Sequence, residues 1–349
     1  MPDQHPRKVL ITGVSHLFGL RLAKRLEADD DVGSVIGVDL QEPAIPMKKL
    51  DFVRADIRSP LIARVLESTE VDTIVHTNIT SSPRTFGGRS GMKENNVLGT
   101  LQLLAAAQRA QRVKKVVMRS SAAVYGSEPG EPSIIPEDHA GKAVHLTGYA
   151  KDCAEAETYA RDFGRRRPDV ELVILRTQNV AGPTVRTSIT DYLSLPIVPS
   201  ALGFDPRLQL LHEEDAVDAL YLALTGDQRG IFNIAAEGVV YLSQATRLLR
   251  RPELPLVPFT ARFAAGLLRR FGIIDFPTDQ LKLLLYGRVL DIRRAREQLG
   301  FTPRYTTKQT LLDFRDHRSV EDVTGDPSRP TWERDLKRLA AERPTGETV

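Results

Sequence analysis

Short apolar runs alternate with stretches of helical periodicity along the first half of the chain. Lys8–Thr12 is the first run; it ends in a glycine turn and is followed by Leu20, Ala23 and Leu26 at helical spacing. Val35–Asp39 and Asp51–Arg54 read as the next strands, and Thr73–His76, Lys115–Arg119 and Glu171–Arg176 continue the series. Helices are predicted between them at about 58–68, 92–110 and 147–165. Apolar strands alternating with helices predict a parallel sheet covered on both faces, the doubly wound α/β class. Ligands of such sheets bind beyond the carboxyl ends of the strands.

After Gly182-Pro183 the rhythm changes. Pro196, Pro199 and Pro206 fall close together, Glu214–Leu224 reads as a helix and Ile231–Ala235 as one more strand. The expected division is a first domain over 1–182, its sheet completed by segments near 208–236. A smaller C-terminal substrate lobe over 183–317 and a polar, proline-punctuated tail over 318–349 follow, the tail holding one short helix (Trp332–Ala341).

Composition narrows the class. Apolar residues make up 41% and charged residues 27% of the 349, with a formal net charge of +3. That is ordinary for a globular protein and leaves no nucleic-acid footprint; Arg165-Arg166-Arg167 reads as a solvated helix end. The first residues lack a signal-peptide core, no run of 18 apolar residues occurs, and the single cysteine fits a reducing compartment, so a cytoplasmic protein is expected. No metal site is expected.

The turn after the first strand reads Thr12-Gly13-Val14-Ser15-His16-Leu17-Phe18-Gly19. Gly13 permits a tight turn, Gly19 lets helix and strand pack closely, and the N–H groups from Ser15 to Phe18 open a helix that can hold a pyrophosphate. A strand-to-helix turn without a nucleotide is the alternative. Asp39 ends the second strand about 20 residues on, where a carboxylate accepts from ribose hydroxyls and repels a 2′-phosphate. Leu40 and Gln41 follow without an arginine, which favours NAD over NADP.

These segments, with Ser120-Ser121-Ala-Ala-Val-Tyr-Gly126 and Tyr149-Ala-Lys-Asp-Cys153, resemble the extended short-chain dehydrogenases of the NAD-dependent epimerase/dehydratase family. The nearest subgroup is the bacterial UDP-glucose 4-epimerase-like one. His16 stands where the family has its middle glycine. Asp56-Ile57 resembles the adenine-contacting pair, and His76-Thr77-Asn78-Ile79 the segment that lines the cofactor after strand four. Asn96 belongs to a matching Asn-Val-x-Gly-Thr helix, and Thr177-Gln178-Asn179 to the segment whose Asn meets the substrate diphosphate. The resemblance implies a Rossmann domain, NAD as cofactor and contacts to it from Ser120, Tyr149, Thr177 and Gln178. It also implies a homodimer built through the helices at 92–110 and 147–165.

By the same resemblance Ser121 orients the substrate oxygen and Tyr149 takes its proton. The family's lysine, four residues after the Tyr, is Cys153 here. A cation at about 4 Å and an effective dielectric near 20 is worth roughly 4 kcal/mol, or about 3 pKa units, to a phenolate. Lys151 lies about 200° around the helix from that face. Lys142, His145 and Arg186 are the other cations near in sequence. Cys153 reads as a small packing residue or as a nucleophile, Ser121 as a turn cap or substrate ligand, and Tyr149 as a half-buried core residue or the proton carrier.

The substrate lobe has Leu208 where the family places a phosphate-binding arginine, and 259–286 is rich in apolar side chains. Phe263, Leu267 and Phe271 share one helical face, with Arg262, Arg269 and Arg270 opposite. This is either an ordinary packed helix or an apolar lid with peripheral membrane or lipid contact. Three functions remain open: an NAD-dependent oxidoreductase or epimerase for a nucleotide sugar or related alcohol, with impaired or altered proton transfer; a dehydrogenase for an apolar, sterol- or lipid-like alcohol; and a non-catalytic NAD-binding regulatory or scaffold protein.

Overall fold

A computed structural model describes residues 6–82, 86–139, 146–257 and 278–317, with side chains 278–280 left undescribed. The segment Phe263–Phe271, the cations Lys142 and His145, and the tail from 318 lie outside the described residues.

Seven parallel strands form the central sheet: β1 (Arg7–Thr12), β2 (Val32–Asp39), β3 (Leu50–Arg54), β4 (Thr73–His76), β5 (Lys115–Ser121), β6 (Glu171–Thr177) and β7 (Gly230–Ile234). Their order is β7-β6-β5-β4-β1-β2-β3. This is the doubly wound arrangement, in which the order reverses beside β1 and opens a crevice at the carboxyl ends of the strands. Alternation along each strand divides the core: Leu10, Ile74, Val116 and Ile174 face one buried cluster, and Val9, Ile11, Val75, Val117 and Val173 the other. A third cluster, with Tyr192, Leu208 and Leu242, gathers buried residues from the second half of the chain. β2 begins at Val32, earlier than its apolar run, because exposed Gly33 and half-buried Ser34 interrupt the pattern while the backbone already pairs with β1.

Helices cover both faces. α1 (Leu17–Glu27) follows the glycine turn, with no acidic residue in its first turn and Lys24 and Arg25 in its last. α2 is Leu61–Thr69. α3 (Arg89–Lys93) runs through a π-helical stretch, Glu94–Gly99, into α4 (Thr100–Arg109). α5 (Gly148–Arg166) buries a stripe of Tyr149, Cys153, Ala156, Glu157, Ala160 and Phe163 at spacings of three and four. Among the described residues no helix is long and apolar enough to cross a membrane.

One buried ion pair fastens α5 to the sheet. Glu157 accepts from Arg176 Nε (3.0 Å) and Nη2 (2.7 Å), and from Ser120 Oγ (2.7 Å). Arg176 also donates to the Tyr125 hydroxyl (2.8 Å), which donates to Asn233 Oδ1 (2.7 Å). The network thus joins β5, β6, β7 and α5 in the core. Glu157→Ala leaves the Arg176 guanidinium buried without its anion and is expected to cost about 3–5 kcal/mol in urea unfolding. Arg161→Ala, which removes a half-exposed cation 3.7 Å from the same carboxylate, is expected to cost under about 1 kcal/mol. Equal costs would contradict the assignment.

Candidate active site

The carboxyl ends of β1, β2, β4 and β5 bring the glycine turn, Asp39, the Thr77–Ile79 segment and Ser121 to one edge of the sheet. Gly13 has φ +75°, and a Cβ there would lie 3.1 Å from Thr77 Oγ1 and 3.2 Å from Asn78 Cα. A Cβ on Gly19 would stand 2.3 Å from the Gly13 carbonyl oxygen. Position 16 differs: His16 has extended backbone (φ −88°), so nothing in its conformation demands glycine. Its imidazole Nε2 lies 4.0 Å from Asp39 Oδ2, and its ring is 6.3 Å from Phe86. His16 caps α1 without a side-chain hydrogen bond, and the absence of acid in the first turn leaves the positive helix end open to an anion.

Asp39 is buried and oriented. It accepts from Ser15 N–H (3.1 Å) and Leu40 N–H (2.7 Å), while the Leu40 side chain is exposed. Arg58 grips Asp56 through Nε (3.0 Å) and Nη2 (2.7 Å) and holds its carboxyl below the usual range; Ile57 is buried beneath. Leu17 is buried and Phe18 half-buried. The π-helical stretch explains how the loop after β4 is held: Asn95 Nδ2 donates to the Asn78 carbonyl (2.7 Å), while Asn96 accepts from Thr80 N–H (3.0 Å) and donates to its carbonyl (2.8 Å).

Several expected cofactor ligands spend their side chains inside the protein. The Ser120 hydroxyl faces Glu157, away from the turn. Thr177 Oγ1 donates to the Ser120 carbonyl (2.9 Å), and Gln178 Nε2 to the Arg288 carbonyl (3.0 Å). Two atoms are enclosed with no hydrogen-bond partner among the described residues: Asn78 Oδ1 and Arg119 Nε. Unsatisfied polar groups beside a glycine cradle fit a polar dinucleotide.

Tyr149 opens α5 beside Ser121. Its hydroxyl has hydrogen-bonding partners in the Cys153 thiol and the Ser121 hydroxyl. Burial pushes this hydroxyl well above the ordinary phenol range and Cys153 adds to the rise, while Arg119 and Ser121 pull it down. Burial likewise raises the Cys153 thiol, which stays protonated and is a poor nucleophile. Ser121 Oγ also accepts from Ala123 N–H (3.1 Å), so the turn cap and the ligand position coincide. Of the nearby cations, Lys151 is exposed and pairs with Glu155 (3.8 Å), and Arg186 pairs with Asp191 (3.6 Å).

A cleft opens beside Tyr149, lined by Ser127, Thr147, Asn179, Lys282 and Arg288 among others. Two of these lining residues, Lys282 and Arg288, are cationic. Arg288, near the end of the lobe, reaches the cleft floor and donates to the Gly126 carbonyl (3.2 Å), while Lys282 forms an ion pair with Glu128 at its rim. Sequence spacing could not reveal either. Arg119 was legible only as a charge directly after the apolar run Val116-Val117-Met118.

The sequence model of the NAD dependent epimerase/dehydratase family matches residues 9–235. An uncharacterised Mycobacterium tuberculosis protein is 40% identical over 335 residues, covering 95% of this chain and 89% of the relative. The fold is similar to UDP-glucuronic acid 4-epimerase from Bacillus cereus in complex with NAD (TM-score 0.67, 17% identity, 91% of this chain and 100% of that one). It is also similar to UDP-glucose 4-epimerase from Thermotoga maritima with UDP-glucose (TM-score 0.68, 19% identity, 89% and 98%).

His76 ends β4 between Thr12 Oγ1 (2.7 Å) and Thr100 Oγ1 (2.9 Å), and burial, with Arg119, pulls its pKa from 6.5 to about 3. The folded protein excludes a proton that the unfolded chain takes up. The associated stability is thus complete above about pH 6.5 and is lost as pH falls towards 3. Replacing His76 by Gln is expected to remove up to about 1.4 kcal/mol per pH unit from the slope of unfolding free energy across that window. An unchanged slope in urea titrations would contradict this. Gly13→Ala is expected to weaken NAD binding at least about tenfold by calorimetry, and wild-type affinity would refute the cradle.

Proposed function

The chain belongs to the NAD-dependent epimerase/dehydratase family, and on that premise we propose that it is an NAD-dependent oxidoreductase or epimerase acting on a nucleotide sugar. The observation that carries this reading is the meeting of Ser121 and Tyr149 at the sheet edge, between the glycine turn and a polar cleft. Bound NAD supplies the chemistry of accepting and returning a hydride at the substrate carbon. The turn from Gly13 to Phe18 would hold its pyrophosphate, Asp39 its adenosine ribose and the Asp56-Ile57 pair its adenine, with the Thr77–Ile79 segment and Asn78 Oδ1 along its length.

On the substrate side Ser121 orients the reacting hydroxyl and Tyr149 exchanges its proton. Asn179, with Arg288 and Lys282 across the cleft, suits a diphosphate. These polar and cationic walls favour a sugar nucleotide over a sterol-like alcohol. Cys153 makes proton transfer harder than a lysine there would, since it raises the Tyr149 hydroxyl. That effect is also the observation behind the second reading, an NAD-binding protein without turnover. Exposed Leu98 and Leu101, at the junction of the π-helical stretch and α4, suit a second copy of the chain and support a homodimer.

NAD-loaded protein titrated with UDP-glucose and UDP-glucuronic acid tests the proposal, with products separated by chromatography. Binding is expected, weakened about tenfold or more by Asn179→Ala. Tyr149→Phe is expected to keep binding within a few fold and to lose product formation by about 100-fold or more. Binding with no product in the wild type would favour the non-catalytic reading, and no binding of either sugar would reject the substrate class.

A further inference from the structure

Arg119 lies in β5 two residues before Ser121, so the two share a strand face while Ser120 turns to Glu157 on the other. Its Nη2 donates to the carbonyls of Thr77 (3.1 Å) and Ile79, and its guanidinium lies 4.5 Å over the Phe18 ring. Among the described residues the Nε is enclosed without a hydrogen-bond partner, and no carboxylate forms an ion pair with this side chain. The groups it touches belong to the helix that follows the glycine turn and to the loop after β4. An enclosed cation with no resident anion is costly, and a structure tolerates it where the anion arrives with ligand or reaction.

We propose that Arg119 replaces the lysine missing at position 153. It reaches the site from the strand instead of the helix and stabilises Tyr149 when that side chain carries negative charge. Arg119 is then a positioning residue, acting through Tyr149. In the step it serves, the substrate O–H bond breaks and its proton passes to the Tyr149 oxygen. The carbonyl forms as the hydride departs from the same carbon to the nicotinamide dinucleotide, which is reduced. The inference rests on the reading of Tyr149 as the proton carrier.

Among the described residues, the groups facing Tyr149 leave Arg119 in this role. From α5 comes the neutral Cys153, itself influenced by Asp152 and Glu157, and from β5 come Ser121 and Arg119. Across the cleft stand Lys282, paired with Glu128, and Arg288, bonded to the Gly126 carbonyl; both belong to the substrate wall. The direction of the Arg119 effect on the Tyr149 hydroxyl agrees, since it is the charge that opposes burial there.

The test uses the full-length, NAD-loaded protein with 3,5-difluorotyrosine at position 149, whose ring fluorines bring phenol ionisation towards neutral pH and report it by 19F NMR. Arg119→Met is expected to raise the titration midpoint by about one to three units, and Arg119→Lys by less than about one. Adding Cys153→Lys to Arg119→Met is expected to bring the midpoint back down. In the protein with ordinary tyrosine, the pH–rate profile for a UDP-hexose should shift the same way, with at least about tenfold lower rate at pH 7 for Arg119→Met. A midpoint unmoved in folded Arg119→Met, or a wild-type site that stays un-ionised from about pH 6 to 10, overturns the inference. The NMR arm needs no substrate, so a failure of the UDP-sugar reading leaves it decisive.

Discussion

The arrangement of the site depends on one buried ion pair. Glu157 and Arg176 give up hydration to bond each other, and the cost is offset where Ser120, Tyr125 and the Glu137 carbonyl satisfy further lone pairs and protons. The return is geometric. Tyr149 lies eight residues, or about 12 Å of helix, N-terminal to Glu157. Fixing Glu157 against β5 and β6 therefore sets the start of α5 at the carboxyl edge of the sheet. There the Tyr149 hydroxyl meets Ser121, just beyond the strand residue that the same network holds.

The chemistry at that edge is governed by desolvation. Packing Tyr149 and Cys153 together out of water favours both neutral forms, and a thiol in place of an ammonium removes the usual counterweight. What the helix loses the strand returns: a guanidinium placed two residues before Ser121, tied to the loop after β4 and stacked on Phe18. Because the same loop is pinned by Asn95 and Asn96 from the π-helical stretch, the cation, the loop and the cofactor turn form one rigid floor.

The sheet was legible because fully buried parallel strands leave continuous apolar runs. Lys8–Thr12, Thr73–His76 and Lys115–Arg119 announce themselves in this way, and even the late strand near Ile231 does. The glycine turn was legible because backbone conformation and close approach restrict residue type at Gly13 and Gly19, and the structure shows why position 16 escapes that restriction. Side-chain direction was not legible. Ser120 and Ser121 are identical neighbours, yet one joins the core network and the other caps the turn that follows β5. Nor does spacing along the chain report that Arg288, from the far end of the smaller lobe, folds onto the same cleft as Gly126. The π-helical stretch has no sequence period that separates it from the α-helices on either side.

The central claim is that this site moves a hydride despite the thiol at position 153. The most direct measurement is rapid mixing of NAD-loaded protein with UDP-hexose, followed by absorbance at about 340 nm, and repeated with sugar deuterated at the oxidised carbon. The account requires a transient rise as reduced nicotinamide forms, slower with the deuterated sugar by about two- to fivefold. A sugar that binds and is held without any reduced nicotinamide appearing would contradict it.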